Sequence, residues 1–229
     1  MARNKKLEER KEQILRAAER VFAEKGFQHA TISEVSREAG LSDATIYEYF
    51  PTKEELLFSI PLETTLKGKA AMSLHLEYIR GAANKIRSII YGYLRFYQNN
   101  PDYASVALLI LKQNREFLKT EAYQVVREWS REIVRVVTEG VVAGEFKDDT
   151  NPYLVRSVIL GTIEHSVISR LLLGRPENLI ELVDPLTDML VHGIIRDPNP
   201  QSWNLKISLE QPERTKNPPP AGDKPDNGE

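Results

Sequence analysis

The side chains with the clearest potential for chemistry lie in the segment LSDATIYEYF, Leu41 to Phe50. On a helical wheel with about 100° per residue, Ser42, Ile46 and Phe50 form one row that faces inward. The opposite side carries small, polar and aromatic groups without lysine or arginine: Ala44, Thr45, Tyr47 and Glu48, with Asp43 and Tyr49 at its edges. Hydroxyl, phenol and carboxylate groups in this arrangement suit contacts in the major groove of DNA.

Each outward group of this predicted helix has a matching contact on DNA. Ala44 permits close approach and can touch a thymine methyl group, and Glu48 can accept a hydrogen bond from a cytosine amino group. Thr45 can donate to a phosphate or a base edge, and the phenol groups of Tyr47 and Tyr49 can donate to phosphates. Two simpler interpretations stay open: Tyr49 packs under the helix, and Glu48 is a solvated acid that only discourages wrong sequences.

The segment itself is acidic, so its attraction to DNA has to come from the flanking residues. Residues 1–20 hold seven basic residues and four glutamates, although the whole chain has a net charge of −2. The predicted sources of attraction are the basic arm at residues 3–20, Lys53, and the backbone amides at two helix starts that Thr31 and Ser42 cap.

The elements around this segment have helical spacing. The capping box TISE, which begins at Thr31, predicts the start of a second helix after one that ends near Gly26, a predicted left-handed cap. Gly40 ends the second helix, Ser42 caps a third and Pro51 stops it. Two short helices joined by a glycine turn outline a helix-turn-helix, although such helices also occur in ordinary bundles.

The rest of the chain continues as helices, so the predicted fold is all-α. The expected spans are 53–75 (with Pro61 a kink or break), 79–99, 101–112, 116–143, 151–173 and 176–195. The predicted domains are a DNA-binding domain at 1–52, including the basic arm, a ligand-binding and dimerisation domain at 53–196, and a largely disordered tail at 197–229. Seven prolines in those last 33 residues favour disorder, while 203–209 alternates enough to pack back.

The segment TISEVSREAGLSDATIYEYFPTKEELL, Thr31 to Leu57, resembles the N-terminal domain of the TetR family of bacterial transcriptional repressors. The likeness rests on the threonine that opens the second helix, the Ala39-Gly40 turn, the block Tyr47 to Phe50 and the lysine at Lys53. The preceding ILRAAERVFAEKGF, Ile14 to Phe27, is similar to the first helix of the same family.

This resemblance implies an all-α homodimer whose small N-terminal domain is a three-helix helix-turn-helix that binds a double-stranded, (pseudo)palindromic operator. A larger C-terminal helical domain would hold a small-molecule pocket, and the last two helices would form the dimer interface. By position, the resemblance assigns phosphate contacts to Thr31, Thr45, Tyr47, Tyr49 and Lys53, and base-facing positions to Ala44 and Glu48.

The second half of the chain carries a weaker likeness. TEGVVAGEF and ILGTIEHSV resemble the fatty-acid-degradation regulators that release DNA when they bind long-chain acyl-CoA. That resemblance implies an acyl-CoA effector, and a different apolar or aromatic ligand is the alternative.

The helices at 79–99 and 101–112 carry enough apolar and aromatic surface to line such a pocket. The predicted ligand-binding residues are Tyr93, Phe96, Tyr97 and Leu108, with Lys112 and Arg115 as cations for the phosphates. Plain core packing is the alternative for each apolar residue. We expect Arg127, Arg131 and Arg135 to form a solvated face with Glu128 and Glu132, and His165 to be a core or interface histidine.

Several classes of protein are not favoured by the sequence. The chain has no cysteine, which excludes disulfides and fits a cytoplasmic protein. No nucleophile elbow, phosphate-cradling glycine loop or HExxH motif occurs, and the four histidines lack metal-ligand spacing, so we expect no enzyme, cofactor or metal. No membrane span or secretory signal is indicated. A helical ligand-binding protein that does not touch DNA is the remaining rival.

Overall fold

The computed structural model describes residues 2–196, without the side chains of residues 2–4 and 67–73. The tail at 197–229, for which we predict disorder, and its segment 203–209 lie outside the described residues. Within 2–196 the chain is all-α, as predicted, apart from an isolated β-bridge between Phe146 and Ile195.

The helices follow the predicted order. The α-helices are α1 (Ala2–His29), α2 (Ile32–Ala39), α3 (Asp43–Tyr49), α4 (Lys53–Glu77), α5 (Ala82–Asn99), α6 (Pro101–Ser105), α7 (Glu121–Val142), α8 (Pro152–Leu173) and α9 (Val183–Ile194). Between α6 and α7 lie a π-helix (Val106–Ile110) and two 3₁₀ turns (Leu111–Gln113 and Phe117–Lys119), and a third 3₁₀ turn (Leu179–Leu182) precedes α9.

Three local predictions are wrong in detail. The span 101–112 is not one α-helix, because it changes to π and then to 3₁₀ geometry. Pro61 does not break α4, which continues to Glu77, and a kink at Pro61 stays a prediction. Gly26 has the positive φ (72°) that glycine tolerates, but its ψ of 158° lies outside the left-handed helical region, so α1 kinks there and makes one more turn. The basic arm belongs to the same helix, because α1 begins at Ala2.

A first hydrophobic core holds α1, α2, α3 and the start of α4 together. Ile46 and Phe50 are buried in it, as the helical wheel predicts, whereas Ser42 is exposed and does not share their row. This core also takes side chains from well beyond residue 52: Tyr103, Val106, Leu111, Phe117 and Ala122. The predicted division of the chain at 52/53 stays a prediction, and the first core extends across it.

A second core holds α5, α7, α8 and α9. It is built from aliphatic side chains at helical spacing on each helix, such as Ile86 and Ile90 on α5, Val136 on α7 and Ile159 on α8. Tyr93 lies in this core with its ring stacked on Trp129 at a centroid distance of 5.0 Å. The second core therefore supports the helices that carry the walls of the cavity described below.

Between these cores, α1 contacts α6, and an acidic side chain lies at the junction. Glu19 of α1 faces Asp102 at the start of α6. Burial, and secondarily the charge of Asp102, raises the pKa of Glu19 from 4.5 to about 7. The neighbouring Arg16 and Arg20 offset this only in part, and each also forms an ion pair elsewhere, with Glu12 and Glu38.

We predict that Glu19→Gln stabilises the protein at high pH. The pKa of Glu19 is higher in the folded than in the unfolded state, so stability falls as the pH rises from about 4.5 to about 7. Above that window the variant should be more stable by roughly 1–2 kcal/mol, a value that allows for solvent screening, and the difference should vanish towards pH 4.5. Denaturant unfolding at several pH values measures it, with the exposed Glu24→Gln as control. A pH-independent difference would contradict the assignment.

Candidate nucleic-acid interface and ligand pocket

The start of α2, and its end at the turn to α3, are built by local features that the sequence predicts. The hydroxyl of Thr31 accepts from the backbone N–H of Glu34 at 3.3 Å, and the Glu34 carboxylate accepts from the N–H of Thr31 at 3.0 Å, which completes the capping box. The carboxylate also pairs with Lys25 at 2.5 Å, and together these bonds lower the pKa of Glu34 to about 2. Gly40 ends α2 in the left-handed region (φ 64°, ψ 36°), which glycine adopts without strain.

Asp43, the first residue of α3, fastens that helix to α2. Its carboxylate accepts hydrogen bonds from the hydroxyls of Ser33, at 2.5 Å, and Ser36. These two bonds lower the pKa of Asp43. One of the two acids in the predicted reading segment is therefore used inside the helix-turn-helix, where it holds the angle between the helices.

The outward face of α3 has the composition that the wheel predicts. Ala44, Tyr47 and Glu48 are exposed, with Tyr47 at 50%, whereas Thr45 and Tyr49 are half-buried. Tyr49 therefore lies partly under the helix. The hydroxyl of Ser42 caps α3 by accepting from the N–H of Thr45 at 3.1 Å. That these residues and Thr31 contact DNA stays a prediction.

Positive charge lies beside α3 rather than on it. Lys6, Leu7 and Arg10 of α1 line a shallow groove together with Thr45, Glu48 and Tyr49 of α3. The basic arm is thus held as a helix next to the predicted reading face, and Glu48 lies in the same groove as two cationic side chains. The structure therefore places positive charge next to α3, and that this charge attracts DNA stays a prediction.

Lys53 has an internal role that the sequence did not reveal. Its ammonium group donates to the carbonyl oxygens of Phe27 at 2.8 Å and Ala30 at 2.9 Å, and lies 4.4 Å from the centroid of the Phe27 ring. Those carbonyls belong to the extra turn after Gly26, which has no helical partner for them. A phosphate contact through the remaining N–H of Lys53 stays a prediction.

A cavity of about 520 Å³ lies between α4, the segment after α5, α7 and α8. This volume falls in the range of about 300–1,000 Å³ that is usual for small-molecule sites. Most of its wall is apolar or aromatic: Pro61, Tyr97, Tyr103, Ala107, Leu108, Leu111, Phe117, Leu118, Tyr123, Val126, Leu160 and Gly161. The polar wall is Lys112, Arg127, Ser130, Arg156, Ser157 and Glu164.

Three of the six predicted ligand-binding residues line this cavity, namely Tyr97, Leu108 and Lys112. The other three do not. Tyr93 is buried against Trp129, Phe96 packs edge-on against Tyr103 at 5.0 Å, and Arg115 is exposed. Tyr93 and Phe96 are therefore core residues, the alternative that the sequence left open for them.

The cationic wall corrects a second prediction. Arg131 pairs with Glu128 at 2.5 Å and Arg135 pairs with Glu132, as expected of a solvated face. Arg127 instead lines the cavity, where Arg156 of α8 joins it. Within the side chains that the structure describes, neither Arg127 nor Arg156 has a carboxylate at ion-pair distance. No signal in the sequence separated Arg127 from its neighbours at four-residue spacing.

An apolar stripe follows the outer face of α8. Leu154, Val158, Gly161, His165 and Leu172 are all exposed and recur at intervals of three, four or seven residues. The exposed Met189 of α9 lies across a groove of about 210 Å³ between the two helices. Exposed apolar side chains that share one helix face are typical of an interaction site.

The described residues contain no group of three or more histidine, aspartate or glutamate side chains placed to bind a metal ion. None of the described helices combines the length and the apolar character needed to cross a membrane.

Comparison with known families gives two matches. Residues 14–60 match the family described as "Bacterial regulatory proteins, tetR family", and residues 70–193 match "YsiA-like protein, C-terminal region". The first match contains the helix-turn-helix, and the second contains the apolar stripe of α8 and the cavity wall apart from Pro61.

Individual relatives agree with these matches. The chain is 28% identical over 182 residues to the fatty acid metabolism regulator protein of Bacillus subtilis (strain 168), covering 80% of this chain and 94% of that protein. It is 30% identical over 192 residues to the HTH-type transcriptional repressor AcnR of Corynebacterium glutamicum, covering 81% and 92%. The transcriptional regulator FadR from Bacillus subtilis, solved in complex with stearoyl-CoA, superposes with a TM-score of 0.74 at 28% identity, covering 80% and 98%.

We predict that Lys53→Met destabilises the protein, because two carbonyls at the end of α1 lose a charged donor. The loss should be roughly 1–3 kcal/mol in the free energy of unfolding. Lys119→Met, which changes an exposed lysine, is the matched control. An unchanged melting temperature would contradict the internal role. The salt dependence of DNA binding tests the phosphate contact separately, since losing one such contact flattens the slope by about one.

Proposed function

This chain belongs to the TetR family of bacterial transcriptional regulators, and we propose that it is a dimeric repressor that a long-chain acyl-CoA releases from its operator. The observation that carries the proposal is the cavity, which combines an apolar and aromatic wall with three cationic side chains, those of Lys112, Arg127 and Arg156. Three of the side chains in its wall are also buried in the core beneath the helix-turn-helix: Tyr103, Leu111 and Phe117.

On the DNA side, α3 enters the major groove and presents Ala44 and Glu48 to base edges. Thr45, Tyr47 and Tyr49 contact phosphates, with the amides at the capped starts of α2 and α3. Lys6 and Arg10 approach the backbone from α1. The domain at 1–52 therefore binds the operator, and the region 53–196 binds the ligand. Such a protein works in the cytoplasm, where the chromosome is.

The dimer forms through α8 and α9. The exposed stripe of α8 and Met189 of α9 are the apolar area that a second copy would cover, and Gly161 lets two helices approach closely. In this arrangement His165 becomes an interface residue. Two copies related by a two-fold axis read a (pseudo)palindromic operator with half-sites about one helical turn, or a multiple of it, apart. A monomeric mass by light scattering at operator-binding concentrations would remove this part of the proposal.

The assignment of an acyl-CoA ligand rests on the two parts of the cavity wall, one apolar and aromatic and the other cationic. An acyl chain suits the apolar part, and the phosphates of coenzyme A suit three cations, of which Arg127 and Arg156 have no carboxylate partner within the described side chains. The relative from Bacillus subtilis that binds stearoyl-CoA supports the same class. The tyrosine and phenylalanine rings of the cavity, such as Tyr123 and Phe117, favour an aromatic ligand as the second candidate.

The experiment is a fluorescence-anisotropy titration of labelled DNA from upstream of the protein's own gene. We predict salt-sensitive binding that palmitoyl-CoA weakens by about 5- to 150-fold, the usual range of coupling between two sites. Palmitate alone and coenzyme A alone should do less, because each carries only one of the two features that the cavity recognises. Release by aromatic acids instead would select the second candidate, and equal affinity with and without palmitoyl-CoA would contradict the acyl-CoA assignment.

A further inference from the structure

One ion pair crosses the cavity wall between two parts of the chain that the ligand would separate. The ammonium of Lys112 donates to the carboxylate of Glu164, which lies 52 positions further along the chain. Lys112 belongs to the 3₁₀ turn after the π-helix, and Glu164 belongs to α8. The Lys112 side chain is 49% exposed and that of Glu164 is 26% exposed, so an anion in the cavity has access to the pair.

Each end of this pair is attached to a functional surface. Next to Lys112, Leu111 is buried in the first core, with the side chains of α1, α2 and α3. On α8, Glu164 directly precedes His165 and follows Gly161 by three residues, both on the exposed stripe. The ion pair therefore ties the segment that packs under the reading domain to the helix that we assign to the dimer interface.

The cavity contains more cationic than acidic side chains. Lys112, Arg127 and Arg156 face one acid, Glu164, and only Lys112 is paired with it. Burial also lowers the pKa of Lys112, so its charged form gains from any close anion. A ligand with one negative charge can be held by the two arginines and leave the pair intact. A ligand with several negative charges also competes for Lys112.

We infer that Glu164 determines which ligands release the protein from DNA, because only a ligand that carries several negative charges displaces it from Lys112 and so detaches α8 from the segment that packs under the reading domain. This inference rests on the proposed function. It adds a role for the one acidic residue of the cavity, which a purely attractive phosphate site would not need. Glu164 sets a threshold of ligand charge: an apolar ligand with a single carboxylate occupies the cavity without release.

Substitutions of the two residues in the pair should change the affinity for the ligand in opposite directions. Glu164→Gln removes the competitor and leaves Lys112 free, so palmitoyl-CoA should bind about two- to fivefold more tightly. Lys112→Gln removes the cation, so palmitoyl-CoA should bind about two- to fivefold more weakly. Without ligand, both variants should bind the operator more weakly than wild type. If the ion pair only supported the fold, the two variants would not change ligand affinity in opposite directions.

The test measures operator affinity and palmitoyl-CoA affinity for the full chain, both variants and the exchanged pair Lys112→Glu/Glu164→Lys. The exchanged pair should restore the operator affinity that the single variants lose. The control is Glu128→Gln, which breaks an exposed pair on α7 with no residue in the cavity.

The outcomes separate the two proposals. A wild-type protein that does not respond to palmitoyl-CoA overturns the acyl-CoA assignment itself. A responsive wild type with both single variants shifted in the same direction, or unshifted like Glu128→Gln, overturns the role of Glu164 and leaves the proposed function standing. Opposite shifts in ligand affinity, with operator binding restored by the exchange, support the inference.

Discussion

The structure depends on three side chains that belong to two sites at once. Tyr103, Leu111 and Phe117 line the cavity and are also buried in the core that holds α1, α2 and α3. Protein interiors are close-packed, so a ligand that displaces these side chains also displaces the surface on which the reading domain rests. The π-helix Val106–Ile110 contributes to both sides: Val106 lies in the first core, and Leu108 lines the cavity. A regular helix would distribute these positions differently, and π-helical turns are often found at functional sites.

The helix α3 and the ligand cavity differ in where their positive charge comes from. The reading helix contains no lysine or arginine, and its first acid, Asp43, is used to hold it against α2. Positive charge comes from Lys6 and Arg10 on the neighbouring α1. The cavity instead concentrates cations from three different elements against one acid. On the proposed function, shape and discrimination dominate at the DNA, and electrostatic attraction dominates at the ligand.

Sequence reasoning was most successful where the chemistry is local. A capping box specifies the start of α2 at Thr31, a glycine in the left-handed region specifies its end at Gly40, and the helical period predicts Ile46 inward and Glu48 outward. It failed where the answer depends on which distant element is the neighbour. Periodicity identifies an apolar face but not whether that face meets a core or a cavity, so Tyr93 and Phe96 were assigned to the ligand and pack in cores instead. The carbonyl partners of Lys53 exist only because α1 kinks at Gly26.

Palmitoyl-CoA in the cavity and operator DNA oppose each other through the side chains that the cavity shares with the first core and through the Lys112–Glu164 pair. Linkage makes such coupling reciprocal, so the most direct test is the affinity for palmitoyl-CoA measured by calorimetry with and without saturating operator DNA. Shared packing predicts that operator DNA weakens palmitoyl-CoA binding by the same factor by which palmitoyl-CoA weakens operator binding. Equal palmitoyl-CoA affinity for the free and the operator-bound protein would contradict it.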